Sequence, residues 1–177
     1  MSYINAQNKP LRAVLVTNFF VAELLRSQAA GAYPLLLIAP WITNFTFSLP
    51  HGGDLSSLID SAEAQPNLFD VLRQIADNGR EVIIVVRPET EPRRKALFIE
   101  PLKALLNIPA ISVYQCSDLH AKLYVGQHGA LYGSLNLTEN GVIGNIEFGA
   151  YASDSRSIAR LREEARQILA GAEGLRA

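Results

Sequence analysis

Two short runs constrain this chain more than any other feature. Leu35-Leu36-Leu37-Ile38-Ala39 stands before Pro40, and Glu81-Val82-Ile83-Ile84-Val85-Val86 stands two residues after Gly79. Both are apolar on successive positions rather than on alternate ones. A strand that is apolar on both faces must be covered on both, which is the condition of an inner strand in a helix-flanked sheet. A chain of 177 residues, 49% hydrophobic and 19% charged, can build that cover without covalent staples. Residues 1–177 are accordingly read as one domain.

The rest of the chain alternates around these strands. Thr17 to Ala30 reads as a helix capped by Thr17 or Asn18, with Phe20, Val21, Leu24 and Leu25 at helical spacing. Residues 43 to 66 hold Pro50, Gly52, Gly53 and Pro66 and read mostly as loop, with a short helical piece at Leu55 to Ala62. Asn67 to Asn78 reads as a helix with Leu68, Val71, Leu72 and Ile75 on one face and Gly79 as its stop. Arg93 to Asn107 reads as a helix interrupted or shifted at Pro101. Ile111 to Gln115, Ala121 to Val125, Ala130 to Tyr132 and Ile146 to Ala152 read as strands. Ser153 to Leu169 closes the chain as a helix capped by Ser153 or Asp154, with Ile158, Leu161, Ala165, Ile168 and Leu169 inward. This order predicts an α/β sandwich with a mixed β-sheet and helices on both faces.

Several function classes are excluded or disfavoured at this level. The single cysteine, Cys116, leaves no internal disulfide and no cysteine-based zinc cluster. The spacing of His51, His120 and His128 does not suggest a three-histidine metal site. The longest apolar stretch, Leu35 to Ile42, is far short of the roughly 20 residues a membrane-spanning helix needs. The first residues lack the basic-then-apolar pattern of a signal peptide, so a cytoplasmic protein with no membrane partner is expected. A net charge of −1 means that any nucleic-acid binding must come from a local patch.

Chemistry concentrates between His120 and Glu147. His120 and Lys122 are two apart, which on a strand puts both on one face. Ser134 and Asn136 are again two apart, after Gly133, which lets the backbone approach a ligand. An imidazole can act as a nucleophile, while an ammonium, a hydroxyl and a carboxamide are donors suited to the oxygens of a phosphoryl group. Glu147, on the next predicted strand, is a carboxylate able to accept from one imidazole nitrogen and leave the other to attack.

This pattern, His120-Ala121-Lys122 followed by Gly133-Ser134-Leu135-Asn136, resembles the signature of the phospholipase D superfamily. Leu137-Thr138, Glu139-Asn140-Gly141 and Asn145-Ile146-Glu147 continue the likeness, as do the strand at 35–40 and the helix-glycine-strand unit at 68–86. One position departs: the signature aspartate would fall at 127, which is Gln127. The resemblance implies the phospholipase D-type α/β/α sandwich and metal-independent phosphodiester cleavage through a covalent phosphohistidine, with no cofactor. It also implies two such motifs per active site. This chain has one, and so looks like the short members that pair two identical chains and build a single site at the two-fold axis. In that reading His120 is the nucleophile, Lys122, Ser134 and Asn136 hold the phosphate, and Glu147 orients His120. The short members are mainly endonucleases, including catalytic parts of restriction and defence systems. The expectation is therefore an endonuclease acting on nucleic acid, with DNA favoured. The alternatives are a phospholipid phosphodiesterase or transferase, or a non-catalytic dimeric subunit of a defence complex that binds phosphate or nucleic acid.

Four further residues are candidates for substrate binding. His51 lies in Pro50-His51-Gly52-Gly53, which reads as a loop over the substrate or a plain surface loop. Trp41, at a strand end, is able to stack on a base or to pack at the rim of the core. Arg93 and Arg94 belong to a basic group with Arg87 and Lys95 that Glu89 and Glu91 offset; they read as a solvated helix start or a phosphate-backbone contact.

Overall fold

The computed structural model describes residues 2–4, 9–27, 33–47 and 66–175. Its centre is an eight-stranded mixed sheet in the order β1-β7-β6-β5-β2-β3-β4-β8. The strands are β1 (Ser2–Ile4), β2 (Leu35–Ile38), β3 (Val82–Val86), β4 (Ile111–Gln115), β5 (Leu123–Val125), β6 (Ala130–Gly133), β7 (Gly149–Ala152) and β8 (Glu173–Gly174). The apolar runs β2 and β3 lie side by side in parallel, with β4 parallel beyond them. From β5 onward the sheet turns antiparallel, through β5, β6 and β7.

The two-faced apolar pattern of β2 and β3 is used as the sequence requires. Leu35, Leu37, Val82 and Ile84 join one core with helices α1 (Lys9–Leu25) and α2 (Leu68–Asp77), through Val16, Phe20, Leu72 and Ile75. Leu36, Ile38, Ile83 and Val85 join a second core with helix α5 (Ser155–Ala170), through Ile158 and Ala165. Helices α3 (Pro92–Phe98) and α4 (Glu100–Lys103), with a following 3-10 turn at Ala104–Asn107, add Ile99, Leu102 and Leu105 to the first core. The result is the expected α/β/α sandwich.

Local signals explain most boundaries. Asn67 caps α2 in a reciprocal capping box with Asp70, and Gly79 takes a φ of 88° just past its end. Asp154 caps α5 by accepting from the backbone N–H of Ser157. The expected helix at 93–107 breaks at Ile99, so that Pro101 falls in the first turn of a new helix, where its missing N–H costs nothing.

Three expectations need correction. The first helix does not start at Thr17: α1 begins at Lys9, eight residues earlier, and Thr17 is buried at mid-helix rather than capping an end. Its buried stripe of Ala13, Val16, Phe20 and Leu24 keeps helical spacing back through that position, and Pro10 suits a first turn. His120 and Lys122 do not lie on a strand; they precede β5. Glu147 likewise precedes β7, which starts at Gly149 and not at Ile146. In both cases the polar residues sit just beyond the last position at which neighbouring strands pair. The proposed helical piece at 55–62 lies outside the described residues.

Candidate active site

The sheet register gathers the motif residues at one edge. β5 and β6 pair with Leu123 opposite Tyr132, and β6 and β7 pair with Gly133 opposite Gly149. The segments entering β5, leaving β6 and entering β7 therefore meet. The backbone N–H of Gly133 donates to the carbonyl of Lys122 at 3.1 Å, and that of Ser134 to the carbonyl of Phe148 at 2.9 Å. Leu123 in turn lies opposite Ile38 at the end of β2. The motif thus stands over the carboxyl ends of the parallel strands, where α/β sheets commonly bind ligands.

Gly133 is required here. Its φ is 151°, and a Cβ at this position would lie 2.2 Å from the carbonyl oxygen of Phe148. Any side chain would push β7 and Glu147 away from Ser134. The Tyr124 hydroxyl, fully buried, donates to the carbonyl of Leu135 at 2.6 Å and fixes the segment between Ser134 and Asn136 from below. Arg12 of α1, also buried, donates to the carbonyls of Val142 at 2.9 Å and Asn145 at 2.7 Å. It ties down the π-helical turn at Asn140–Gly144 that leads into Glu147.

At this edge the Ser134 hydroxyl donates to one carboxylate oxygen of Glu147 and accepts from the Phe148 N–H at 2.9 Å. The Asn145 amide donates to the other Glu147 oxygen at 3.2 Å. Among the described residues, the hydrogen bonds of Glu147 therefore run to Ser134 and Asn145. The Lys122 ammonium donates to the His120 carbonyl at 2.7 Å. Partial burial holds that ammonium below the ordinary lysine range, and the charge of Glu147 opposes the shift. The His120 residue is exposed, as is Ser134. The Oδ1 of Asn136 is buried and accepts no hydrogen bond from the described residues. The strand pairing thus brings the segments that carry an imidazole, an ammonium, a hydroxyl, an amide and a carboxylate to one end of the sheet, a set of groups able to attack and to hold an anionic tetrahedral or trigonal-bipyramidal centre.

The other candidates separate. Trp41 follows β2 and donates from its indole N–H to Glu89 at 2.9 Å. Arg94 makes two 3.0 Å hydrogen bonds to the same carboxylate, and these hold Glu89 below the usual carboxylate range. Its guanidinium lies 5.0 Å from the centre of the Trp41 ring system, so Arg94 is committed within the protein. Arg93 is exposed on α3. His51 lies outside the described residues. His128 is exposed in the turn between β5 and β6. Among the described residues no group of three or more His, Cys, Asp or Glu side chains is placed to hold a metal ion, and no helix is long and apolar enough to cross a membrane.

Sequence reasoning missed a second polar centre at the opposite end of the β5–β6 hairpin. Glu23 of α1 is buried and forms an ion pair of 2.6 Å with Arg80, whose side chain is equally buried. The same carboxylate oxygen accepts from the Gln127 N–H at 2.9 Å. The Gln127 side chain accepts from the Tyr33 N–H at 2.8 Å, and Arg162 donates to the Gly126 carbonyl at 2.9 Å while stacking 3.8 Å from the Tyr33 ring centre. A Cβ on Gly126 would fall 2.2 Å from the Glu23 carboxyl, so a side chain here would displace that carboxyl from its place. The corner where the signature puts an aspartate therefore does contain a carboxylate, delivered by α1. The sequence signal was Glu23 within the apolar stripe of Phe19, Phe20 and Leu24.

No protein-family profile matches the sequence, and no curated protein is detectably similar to it. Solved structures are similar. NucT from Helicobacter pylori superposes with a TM-score of 0.61 at 13% identity, covering 91% of this chain and 94% of its own. Nuc from Salmonella typhimurium, a phospholipase D family member, gives a TM-score of 0.61 at 16% identity, covering 89% and 90%. TrmBL2, an archaeal chromatin protein with a novel mode of DNA binding, gives 0.51 at 14% identity, covering 90% of this chain and 51% of its own. At such identities the likeness speaks for architecture, and on architecture it agrees with the sheet order and layers described above: this chain has a phospholipase D-like fold.

Proposed function

We propose that the protein is a metal-independent phosphodiesterase, an endonuclease whose active site is completed by a second copy of the chain. The observation that carries this reading is the convergence of Lys122, Ser134 and Glu147 at one exposed edge, next to His120 and Asn136, on a fold shared with short phospholipase D-like proteins. One imidazole per edge is half of what two-step transfer needs. His120 of one protomer attacks phosphorus and the bond to the leaving oxygen breaks. That oxygen takes a proton from His120 of the partner subunit. Water then attacks the phosphohistidine, yielding its proton to the same partner imidazole, which restores both groups. Lys122, Ser134 and Asn136 stabilise the charge on the non-bridging oxygens, and Glu147 is the carboxylate assigned to orient the imidazole.

Exposed apolar surface beside the site supports the dimer. Ile146 and Phe148 are 73% and 48% exposed and flank Glu147. An isologous contact through them would set two His120 edges face to face. The likeness to TrmBL2 favours one other reading, a DNA-binding module without cleavage.

The deciding experiment is cleavage of a DNA oligonucleotide in EDTA by mixtures of wild-type and His120→Ala chains after demonstrated subunit exchange. Cleavage should persist in the chelator. With a wild-type fraction f, activity should follow f², so an equal mixture keeps about half the activity of its wild-type chains. Activity linear in f would reject the shared site. No cleavage, with DNA still bound, would favour the binding module.

A further inference from the structure

A groove of about 450 Å³ opens beside the proposed phosphate-binding edge, and of its lining only Asn136 takes part in the proposed chemistry. Its apolar wall is Trp41, Leu97 and Phe98; its polar wall includes the amides of Asn136, Asn140 and Asn145. Asn136 belongs to both places, since it closes the Gly133-Ser134-Leu135-Asn136 segment and lines the groove. The volume lies in the range of small-ligand sites, about 300–1,000 Å³.

The charge pattern decides what fits. No lysine or arginine lines the groove among the described residues, while Glu139 does. The only charged lining residue is thus negative, and Arg94 behind the rings is already neutralised by Glu89, so the groove is not built for a second phosphate. The lining instead offers ring surface on one side and neutral donor–acceptor amides on the other, which is what a flat heteroaromatic group with polar edges requires. The rings are also set in advance. Trp41 and Phe98 lie 5.8 Å apart with planes inclined by 32°, and Arg94 sits 5.0 Å and 5.8 Å from their centres. Glu89 holds both Arg94 and the Trp41 indole N–H. A platform locked by its own protein contacts loses little freedom when a ligand stacks on it.

Resting on the phosphodiesterase reading, we propose that this groove receives one unpaired nucleobase of the strand whose phosphate lies at His120, stacked against Trp41 and Phe98 and contacted at its edge by the amides. In a duplex the faces of a base are covered by its neighbours and its pairing edge is occupied. The site therefore prefers single-stranded nucleic acid, or a base turned out of a helix.

Trp41 is the only tryptophan in the chain and reports directly on the groove. The test titrates the full-length His120→Ala protein with three dye-labelled probes of equal length: a single-stranded oligodeoxyadenylate, an abasic deoxyribose-phosphate oligomer and a blunt DNA duplex. Binding is read by dye anisotropy and the groove by Trp41 fluorescence. The base-bearing single strand should quench Trp41 in step with binding. The abasic oligomer should bind about 5- to 150-fold more weakly without quenching, the worth of one stacked base. Leu97→Ala, at a rim position 56% exposed, trims the apolar wall without adding charge and should weaken only the base-bearing strand. Equal affinity for base-bearing and abasic strands, quenching by the duplex at equal affinity, or binding with no change in Trp41 would overturn the proposal. Cleavage of the abasic oligomer by wild type tests the phosphodiesterase reading separately. Equal kcat/KM on both strands leaves that reading standing and removes the groove, while base-dependent quenching without any cleavage does the reverse.

Discussion

The two ends of the β5–β6 hairpin are built from similar side chains and arranged in opposite ways. At the turn end, Glu23, Arg80 and Arg162 are buried, and one oxygen of the Glu23 carboxylate accepts from both a guanidinium and a backbone N–H. At the motif end, His120 and Ser134 are exposed and Lys122 is only partly buried. Burying a charge is costly unless a counter-charge or hydrogen-bond partner is buried with it, and breaking such a pair costs about 3–5 kcal/mol. Exposed groups can stay unsatisfied at little cost and so remain able to meet a ligand. The hairpin is thus held at one end so that its other end can present reactive groups in a fixed register.

Substitutions at the two ends should therefore differ in kind as well as size. The largest effect expected in this comparison is on turnover. Glu147→Gln keeps an acceptor for the Ser134 hydroxyl, replaces by a donor the oxygen that accepts from the Asn145 amide, and removes the charge opposing an imidazolium. Steady-state cleavage should fall by on the order of 10²- to 10⁴-fold with Tm unchanged. A near-normal rate would take Glu147 out of the site.

Glu23→Gln should do the reverse. It strips the counter-charge from Arg80, whose Nη2 already has no acceptor among the described residues, and equilibrium unfolding in urea should show a loss of about 3–5 kcal/mol. The folded fraction, at low temperature, should retain kcat within a few-fold. A stable variant with the register of Gly133 and Lys122 unchanged would show that the buried pair is dispensable for holding the hairpin.

The smallest effect is on pH dependence. Burial lowers the proton affinity of Lys122, so its ammonium is lost at a pH below the ordinary lysine range. If that charge stabilises the transferring phosphoryl group, the rate falls as pH rises, and the fall begins below the ordinary value of 10.5. Glu147 raises the affinity, so Glu147→Gln should move the residual alkaline limb lower still, and Lys122→Arg should move it upward. A limb that none of these substitutions moves would belong to another group.

The contrast also marks what could be read in the sequence. The motif end was legible because its residues lie close together in the chain: two pairs spaced by two, a glycine and a carboxylate within residues 120–147. So were β2, β3 and α2, whose apolar patterns and caps are local. Strand pairing ended one or two residues short of His120-Ala121-Lys122 and Glu147, because pairing depends on the neighbouring strand and not on local pattern alone. The turn end was not legible. Glu23 and Arg80 are 57 residues apart, and only the packing of α1 on the sheet brings them together. Gln127 read as a lost carboxylate; the folded chain supplies one at the same corner from elsewhere.

The central claim is that His120 makes a bond to phosphorus. Wild-type protein turning over an oligonucleotide labelled at its scissile phosphate should be denatured rapidly without acid, digested, and analysed for the labelled peptide. The account predicts an acid-labile, base-stable phosphoryl group on the peptide that holds His120, absent from His120→Ala. Turnover with no such adduct, under conditions where its breakdown limits the rate, or an adduct on a different residue, would contradict it.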